Sequence, residues 1–559
     1  MLDREHNVTG KGAEKLFNFR PFFFSAIFLC LGIIFYFLYH FKGVSTLWLL
    51  LLIPCAGIPF CFSHTRRQVY YSAFSVCCMG IAFFVGFFAF SCQIQDFFTH
   101  QECLGEQYVT GKVVEIRLDK ENTTVLLEEL YVGDQEVDGK LIAYLPLTEY
   151  ENIKISDELF LHGKVYQTTL TAPNFVFKVG DLGEKVRFNI YPQESFVTGT
   201  RFDLFLAMRT RAENAIEAGM DDAPASVTRA VLFGNTKQID EGLYDNIRSG
   251  GIAHIFAVSG LHVGTLSAFV IALFSGKRFQ KVPKIVRLCL LAILLYLYAG
   301  ICGFSASVLR AMVMCLVLYA SRLFFLRTDM LESLGLAGLI LLIYKPSYLF
   351  EVGFQLSFCA CLGLAFLSKP IGQVCDELKN LYRKYFPKAP TKAEIEAKKN
   401  DDTLPPDVGE RVYLSVRSFL SASLGAQIFT VPILLHYFGY VSGWSLFLNA
   451  LFVPLMGGAF AFLLCSVLVA SLFPVEFALV ILYLPNLVWS GLLLLFQTID
   501  FSQFSLRNLS ITSGGFFTYY AGCLLLTDKW NVPKKTTMSL SAVCFGVFFL
   551  LLLIPKLLF

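Results

Sequence analysis

Apolar residues run along this chain in long blocks separated by short polar breaks, and one interval in the first half alternates instead. Blocks of roughly 17–25 apolar residues are long enough to cross a bilayer as helices. Three open the chain, at about 21–41, 45–63 and 70–92. Further blocks lie near 252–275, 287–303, 305–325, 331–345, 349–368, 412–437, 444–472, 475–499, 513–527 and 537–557. The pattern predicts a polytopic α-helical membrane protein of about 13 spans. The first block follows basic residues as a signal peptide would, but its length and lack of a small-residue cleavage site read as an uncleaved span.

The alternating interval is 93–200. It holds YVTGKVVEIRL, TTVLLEELYV, KLIAYLPL, ELFLHGKVYQ and VRFNIYP, broken by Gly and Asp turns. Period-two patterning with such turns predicts a small β-barrel or sandwich. Residues 201–219 place Phe205, Met208, Ala212, Ala215, Ile216 and Gly219 at helical spacing. They predict an amphipathic helix lying on the membrane surface, on the bundle or on its own domain. The charged stretch 369–411 reads as a loop. Four regions follow: three N-terminal spans (1–92), the β-domain (93–200), a helical linker (201–250) and a helical channel-like region (251–559).

Composition narrows the class. Hydrophobic residues make up 55% of the chain and charged ones 16%, which excludes an ordinary soluble protein. Lys and Arg in the short loops, Arg66, Arg67 and Arg322 among them, fall on one side of a single alternating topology. By the positive-inside rule the N-terminus and 369–411 are cytoplasmic and the β-domain is extracytoplasmic. Acidic residues outnumber basic ones about two to one in that domain.

Of the sixteen cysteines most lie in apolar runs, where a free thiol behaves as a small hydrophobe. Cys92 and Cys103 flank the start of the outside domain, and a disulfide between them is expected in an oxidising compartment. No GxxxxGK[ST], HExxH or CxxC pattern occurs, so neither a P-loop, a metal centre nor a cofactor is expected.

Polar residues inside the apolar blocks are the candidate site. The segment GGIAHIFAVSGLHVG carries Ser259, Gly260 and His262; later blocks carry Arg310, Glu351, Gln355, Gln427 and Asn449. Ionisable side chains at membrane depth face protein or water. Arg310, Glu351, Gln355 and Asn449 lie toward the outer side of their spans, as a vestibule would require, and Ser259, His262 and Gln427 come closer to the midplane. Arg310 either pairs with Glu351 or offers its guanidinium to a phosphate. Ser259 and His262, one helical turn apart, admit three readings. They form part of a close helix crossing at Gly260 and Gly264, a polar lining, or a nucleophile and base without an evident third group.

Four stretches carry a family resemblance: AHIFAVSGLHVG, SASVLRAMVM around Arg310, PSYLFEVGFQLSFCACLGL, and AQIFTVPILLHYF followed by LNALFVP. In this order they resemble the ComEC family, the inner-membrane channel of bacterial natural transformation. The resemblance implies passage of single-stranded DNA into the cytoplasm and an OB-fold as the outside domain; on that reading the polar residues above are expected to line or shape the path, without a catalytic role. It implies an envelope DNA receptor, a cytoplasmic ATPase or single-strand-binding proteins, and contact with membrane lipid. Many members add a C-terminal metallo-β-lactamase-like domain; the sequence ends without one, so any nuclease is expected to be a separate protein. OB-folds bind single strands by stacking, and Tyr108, Tyr131, Tyr144, Phe160, Tyr166, Phe175 and Phe177 are candidates, although a β-core is the plainer expectation for them. The alternatives are a transporter or flippase for another polyanion or lipid-linked sugar, and an intramembrane serine hydrolase.

Overall fold

The structure, a computed structural model, describes residues 20–45, 66–99, 103–118, 122–133, 135–146, 153–170, 178–256, 258–276, 281–325, 330–385, 408–501, 505–507, 511–527 and 534–557. Nearly all of the expected span 45–63, Phe175, Phe177 and the centre of the 369–411 stretch lie outside these residues. The chain forms two compact units. The N-terminal unit comprises Phe19–Arg211 with Gly335–Phe354, and the C-terminal unit is built from Ala212–Leu334 and Gln355–Phe559.

The N-terminal unit begins with helices α1 (Pro21–Lys42) and α2 (Arg66–Phe97), which pack along each other. They cross at glycines because nothing larger fits: a Cβ on Gly32 would overlap the carbonyl oxygen of Phe83, and one on Gly86 that of Leu29. Ala82, Phe83 and Phe90 face inward, while Ile81, Phe84 and Phe88 stand exposed. An apolar face left open in this way suits hydrocarbon as solvent.

Six strands follow: β1 (Gly105–Leu118), β2 (Asn122–Val132), β3 (Gln135–Val137), β4 (Lys140–Pro146), β5 (Asp157–Gln167) and β6 (Val186–Thr200). The pairings run β1–β5–β6–β4–β2 and return to β1, with β3 beside β2. All are antiparallel except β4–β6. Register shifts in β1, and between Glu158 and Leu159 and between His162 and Gly163 where β5 meets β6, mark bulges of the kind that bend strands. Burial alternates along β4 and β5 and seals a core of small aliphatics, among them Val109, Leu127, Leu141, Leu159 and Leu161. Arg187, fully buried, ties the sheet to the end of α2: Nη2 donates to Asp96 Oδ2 at 2.7 Å and Nη1 to Thr99 Oγ1 at 2.6 Å.

The expected Cys92–Cys103 bridge is not formed. Cys103 packs into the sheet core while Cys92 is exposed on α2, and no disulfide joins them. The short helix α3 (Val179–Gly183) precedes β6. Helix α4 (Leu204–Gly219) is capped by Asp203, whose Oδ1 accepts from Phe205 N and Leu206 N while Oδ2 meets Lys112 Nζ at 3.0 Å. Of its predicted apolar face only Ala215, Ile216 and Gly219 are buried; Met208 is exposed.

In the C-terminal unit α5 (Asp222–Phe233) and α6 (Glu241–Ser249), from the stretch read as a linker, join one large core with residues between 252 and 323 and between 448 and 501. Further helices follow along the chain. These are α7 (Gly260–Phe274), α8 (Lys284–Ile301), α9 (Ala306–Leu323), α10 (Met330–Tyr344), α11 (Val352–Tyr385) and α12 (Val408–Phe438). The strand β7 (Tyr440–Ser442), α13 (Ser445–Leu472), α14 (Ala478–Thr498), β8 (Ser505–Arg507), α15 (Ser513–Leu525) and α16 (Lys534–Leu557) complete the chain, and α10 and α11 pass from one unit to the other. Among the described residues 7 helices are long and apolar enough to cross a membrane, and three shorter apolar helices accompany them. The chain is a multi-pass membrane protein.

Two expectations change here. Part of the predicted loop 369–411 is helical, because α11 runs on to Tyr385 and α12 begins at Val408. Its charges are paired between the two helices: Arg417 with Asp376 at 2.7 Å, Lys379 with Glu410 at 2.7 Å, and Tyr413 donating to Asp376 at 2.9 Å. The helices close on each other at Gly363, where a Cβ would overlap the carbonyl oxygen of Gly425. The second change is at the predicted span 252–275, which is not one helix.

Candidate functional site

That span divides into a 3₁₀ turn at Ala253–Ile255, extended chain at Ser259, and α7, which starts only at Gly260. At 1.5 Å per residue a helix of 15 residues covers about 22 Å, short of the roughly 30 Å hydrocarbon layer. Non-helical backbone at such depth survives only where protein or a water-filled cavity receives its polar groups. The break is therefore the feature around which a site is built.

Its two glycines come first. Gly251 has φ +76°, and a Cβ there would sit 2.7 Å from Ser445 Cβ and 3.0 Å from Ser442 Cβ. A side chain is excluded by conformation and by space, so the chain presses onto the start of α13. There Ser445 Oγ lies 2.9 Å from the Ser442 carbonyl and 3.2 Å from Gln427 Oε1, and Gln427 Nε2 donates to Ser423 Oγ at 3.1 Å. Asn246 fastens the preceding helix: Nδ2 donates to the carbonyls of Phe496 and Ile499 at 2.6 and 2.7 Å, and Oδ1 accepts from Phe501 N at 2.9 Å.

The break ends in a cap. Ser259 is the N-cap of α7 and His262 its third residue; Ser259 N donates to His262 Nδ1 at 3.0 Å, with Ser259 Oγ 3.3 Å from the same nitrogen. The imidazole thus fills the place that Glu or Gln takes in a capping box. Accepting at Nδ1 assigns the neutral ring's proton to Nε2. His262 is fully buried, its ring 4.7 Å from that of Phe460, and Nε2 has no hydrogen-bond partner among the described residues. Ser259 and His262 are thus joined across the first turn of α7, Ser259 standing at its cap rather than inside the helix. As a nucleophile and base they have no orienting carboxylate bonded to the ring among the described residues, and the base nitrogen nearest the hydroxyl already accepts a backbone N–H.

The glycine pair does not make a close crossing either. A Cβ on Gly260 would rest at an ordinary 3.7 Å from Ala311 Cβ, and one on Gly264 would meet nothing within 4 Å. Arg310 stands beside Ala311 on α9, which packs on α7, and is 2% exposed. Asn449, in the second turn of α13, is buried with Oδ1 unbonded among the described residues. Gln355 is half-buried in the first turn of α11. Glu351 belongs to the N-terminal unit, where Lys345 Nζ lies 3.4 Å away, stacked at 4.3 Å over the Tyr348 ring. Sequence reading passed over Asn246, Ser423, Ser442 and Ser445; the available signal was the S-x-x-S spacing around the Gly443–Trp444 turn. No group of three or more metal-ligating side chains occurs among the described residues.

The aromatic residues of the sheet also differ from their expectation. Tyr108, Tyr131 and Tyr166 point outward, as do Tyr191 and Phe196. Tyr108 stacks on His162 at 4.4 Å, Phe160 on Phe196 at 4.7 Å, and Tyr144 on Tyr191 at 4.8 Å.

Comparison with known proteins converges on the helical region. No solved structure matches the chain. It is similar to ComE operon protein 3 of Bacillus subtilis, 28% identical over 230 residues, which is 41% of this chain and 24% of that protein. It is also similar to the uncharacterized protein MG316 homolog of Mycoplasma pneumoniae, 32% identical over 127 residues, 23% of this chain and 32% of the other. The alignments therefore span about a quarter to a third of these relatives. The family described as Competence protein matches residues 231–533, which include the capped break, Arg310, Gln427 and Asn449, and the chain belongs to that family, the one to which the ComEC resemblance pointed.

Proposed function

We propose that this protein is a channel carrying single-stranded DNA across the bacterial plasma membrane during natural transformation, and that it is not an enzyme. The observation that carries the reading is the break around Gly251 and Ser259, lying within the family's matched region, with Ser442 and Ser445 against Gly251 and Gln427 bonded to Ser445. Interrupted helices supply polar backbone to a cargo at membrane depth. The closed round of β1, β5, β6, β4 and β2 supports an OB-like barrel as the outside domain, and its outward aromatic pairs supply stacking faces. In this reading the N-terminus is cytoplasmic, the barrel extracytoplasmic, and Ser259, Gly260, His262, Arg310, Gln355, Gln427 and Asn449 shape the path. An envelope receptor delivers the strand and a cytoplasmic ATPase or strand-binding protein draws it in.

Uptake of labelled DNA in a deletion strain carrying variants tests the reading. Ser259→Ala and His262→Gln should both keep uptake, since glutamine serves the same capping position. Loss in both, at normal membrane levels, would favour hydrolysis. Normal uptake in the deletion strain would point to another cargo.

A further inference from the structure

A groove of about 640 Å³ opens in the C-terminal unit where the ends of α6, α12 and α14 meet β7. Its walls include Asp245, Arg248, Phe438, Tyr440, Gln497 and Asp500. Arg248 is exposed and held by rings alone: its guanidinium carbon lies 5.8 Å from the Phe438 centroid and 5.5 Å from that of Tyr440. The Tyr440 hydroxyl donates to the Arg248 carbonyl at 3.3 Å and fixes the strand against the helix end. No guanidinium N–H of Arg248 is bonded to another described residue. A cation in the last turn of a helix also complements the helix dipole, but that task needs neither two rings nor a groove.

We propose that this groove receives one step of an unpaired nucleic-acid strand, Arg248 gripping the phosphate while its planar face and the rings beside it stack a base. The proposal rests on the DNA-uptake reading and places a loading point beside the break, since Arg248 is followed directly by Ser249, Gly250 and Gly251. Guanidinium groups bind phosphate in a fork and stack on bases, and both uses need the open N–H edge and flat face seen here. Only unpaired bases offer a face, so the fit is to a single strand. Asp245 and Asp500 oppose a second phosphate and can accept from base amino groups, which keeps the hold weak. A conduit needs its sites to release what they bind.

The test is fluorescence polarisation of the full chain in nanodiscs with labelled oligothymidylate and its abasic counterpart. It is run in wild type and in a background where Tyr108, Tyr191 and Phe196 are Ala, so that the sheet does not mask the groove. Arg248→Ala should weaken oligothymidylate binding about tenfold and lower the salt slope by about one. Arg248→Lys should keep the slope but lose part of the affinity, and Tyr440→Ala should weaken oligothymidylate more than the abasic chain. Gel filtration and thermal unfolding check that each variant is folded. Binding in the altered-sheet background that Arg248→Ala leaves unchanged would overturn the groove while leaving the uptake reading intact. Equal wild-type affinity for the abasic chain in that background would overturn base recognition at Arg248. Absence of any binding by the wild type would overturn both the groove and the reading it rests on.

Discussion

In the sheet, Tyr108, Tyr166, Tyr191 and Phe196 stand roughly half exposed over a core of Val, Leu and Ala, whereas in the helical core Phe256, Phe452, Phe460, Phe496 and Trp489 are sealed away. The same residue types serve opposite ends. The interior of the closed round is filled mainly by branched aliphatics, with the Phe188 ring among them, and most of its other rings lie on the outer face. The helical core takes its rings inside, where Phe256 packs on Trp489 and Phe496, and Phe460 on Tyr298. Buried polar groups differ as well: in the sheet unit Arg187 anchors the strands to α2, while in the helical unit Ser442, Asn449 and His262 lie buried near one break, with Arg310 on the neighbouring helix.

The comparison can be tested by removing rings and anchors in turn. The largest loss belongs to Phe460→Ala, which empties space between His262 and Tyr298; unfolding in detergent should register about 3–5 kcal/mol. Arg187→Ala comes next at about 1.5–3 kcal/mol, because it removes two hydrogen bonds, one of them to a carboxylate, from a fully buried group. Limited proteolysis at the junction of α2 with the sheet should detect it.

Asp203→Ala follows at about 1 kcal/mol, the usual loss of an N-cap. Hydrogen bonds from Leu206 N, Lys112 and Phe205 N hold the Asp203 carboxyl below its ordinary value of 3.8. Its contribution is therefore complete above about pH 4 and disappears as pH falls through that lowered value. In Asp203→Asn the acid-side slope of stability should flatten. Smallest is Phe196→Ala, expected within about 0.5 kcal/mol of wild type because the ring is exposed, yet weakening oligonucleotide binding several-fold. A destabilisation as large as that of Phe460→Ala would show that the outer rings are structural and dissolve the contrast.

Much of this was readable in advance. Strands followed their period of two, and helix blocks followed apolar length. The outward rings were readable as well: Phe160, His162, Lys164 and Tyr166 share one parity on β5, and Lys164 belongs outside, so its neighbours on that face do too. Residue type was weighed there ahead of parity. The break at 250–259 was hidden because Ile252, Ile255, Phe256 and Val258 keep the run apolar although the backbone is not helical. The capping signal was present, with histidine standing for glutamate. Charges at 369–385 looked like a solvated loop because their partners on α12 are some thirty to forty residues away.

The shortness of α7 has an electrical consequence. A membrane voltage does work on each crossing charge of about 2.3 kcal/mol per 100 mV, whatever the path length. Where water reaches the capped break, that drop is compressed into the stretch the 15-residue helix still covers, and the local field steepens in proportion. A polyanion threaded past Ser259 would feel the whole potential within a few phosphates, so the polarity of the membrane would bear on its passage there more sharply than along a full-length span.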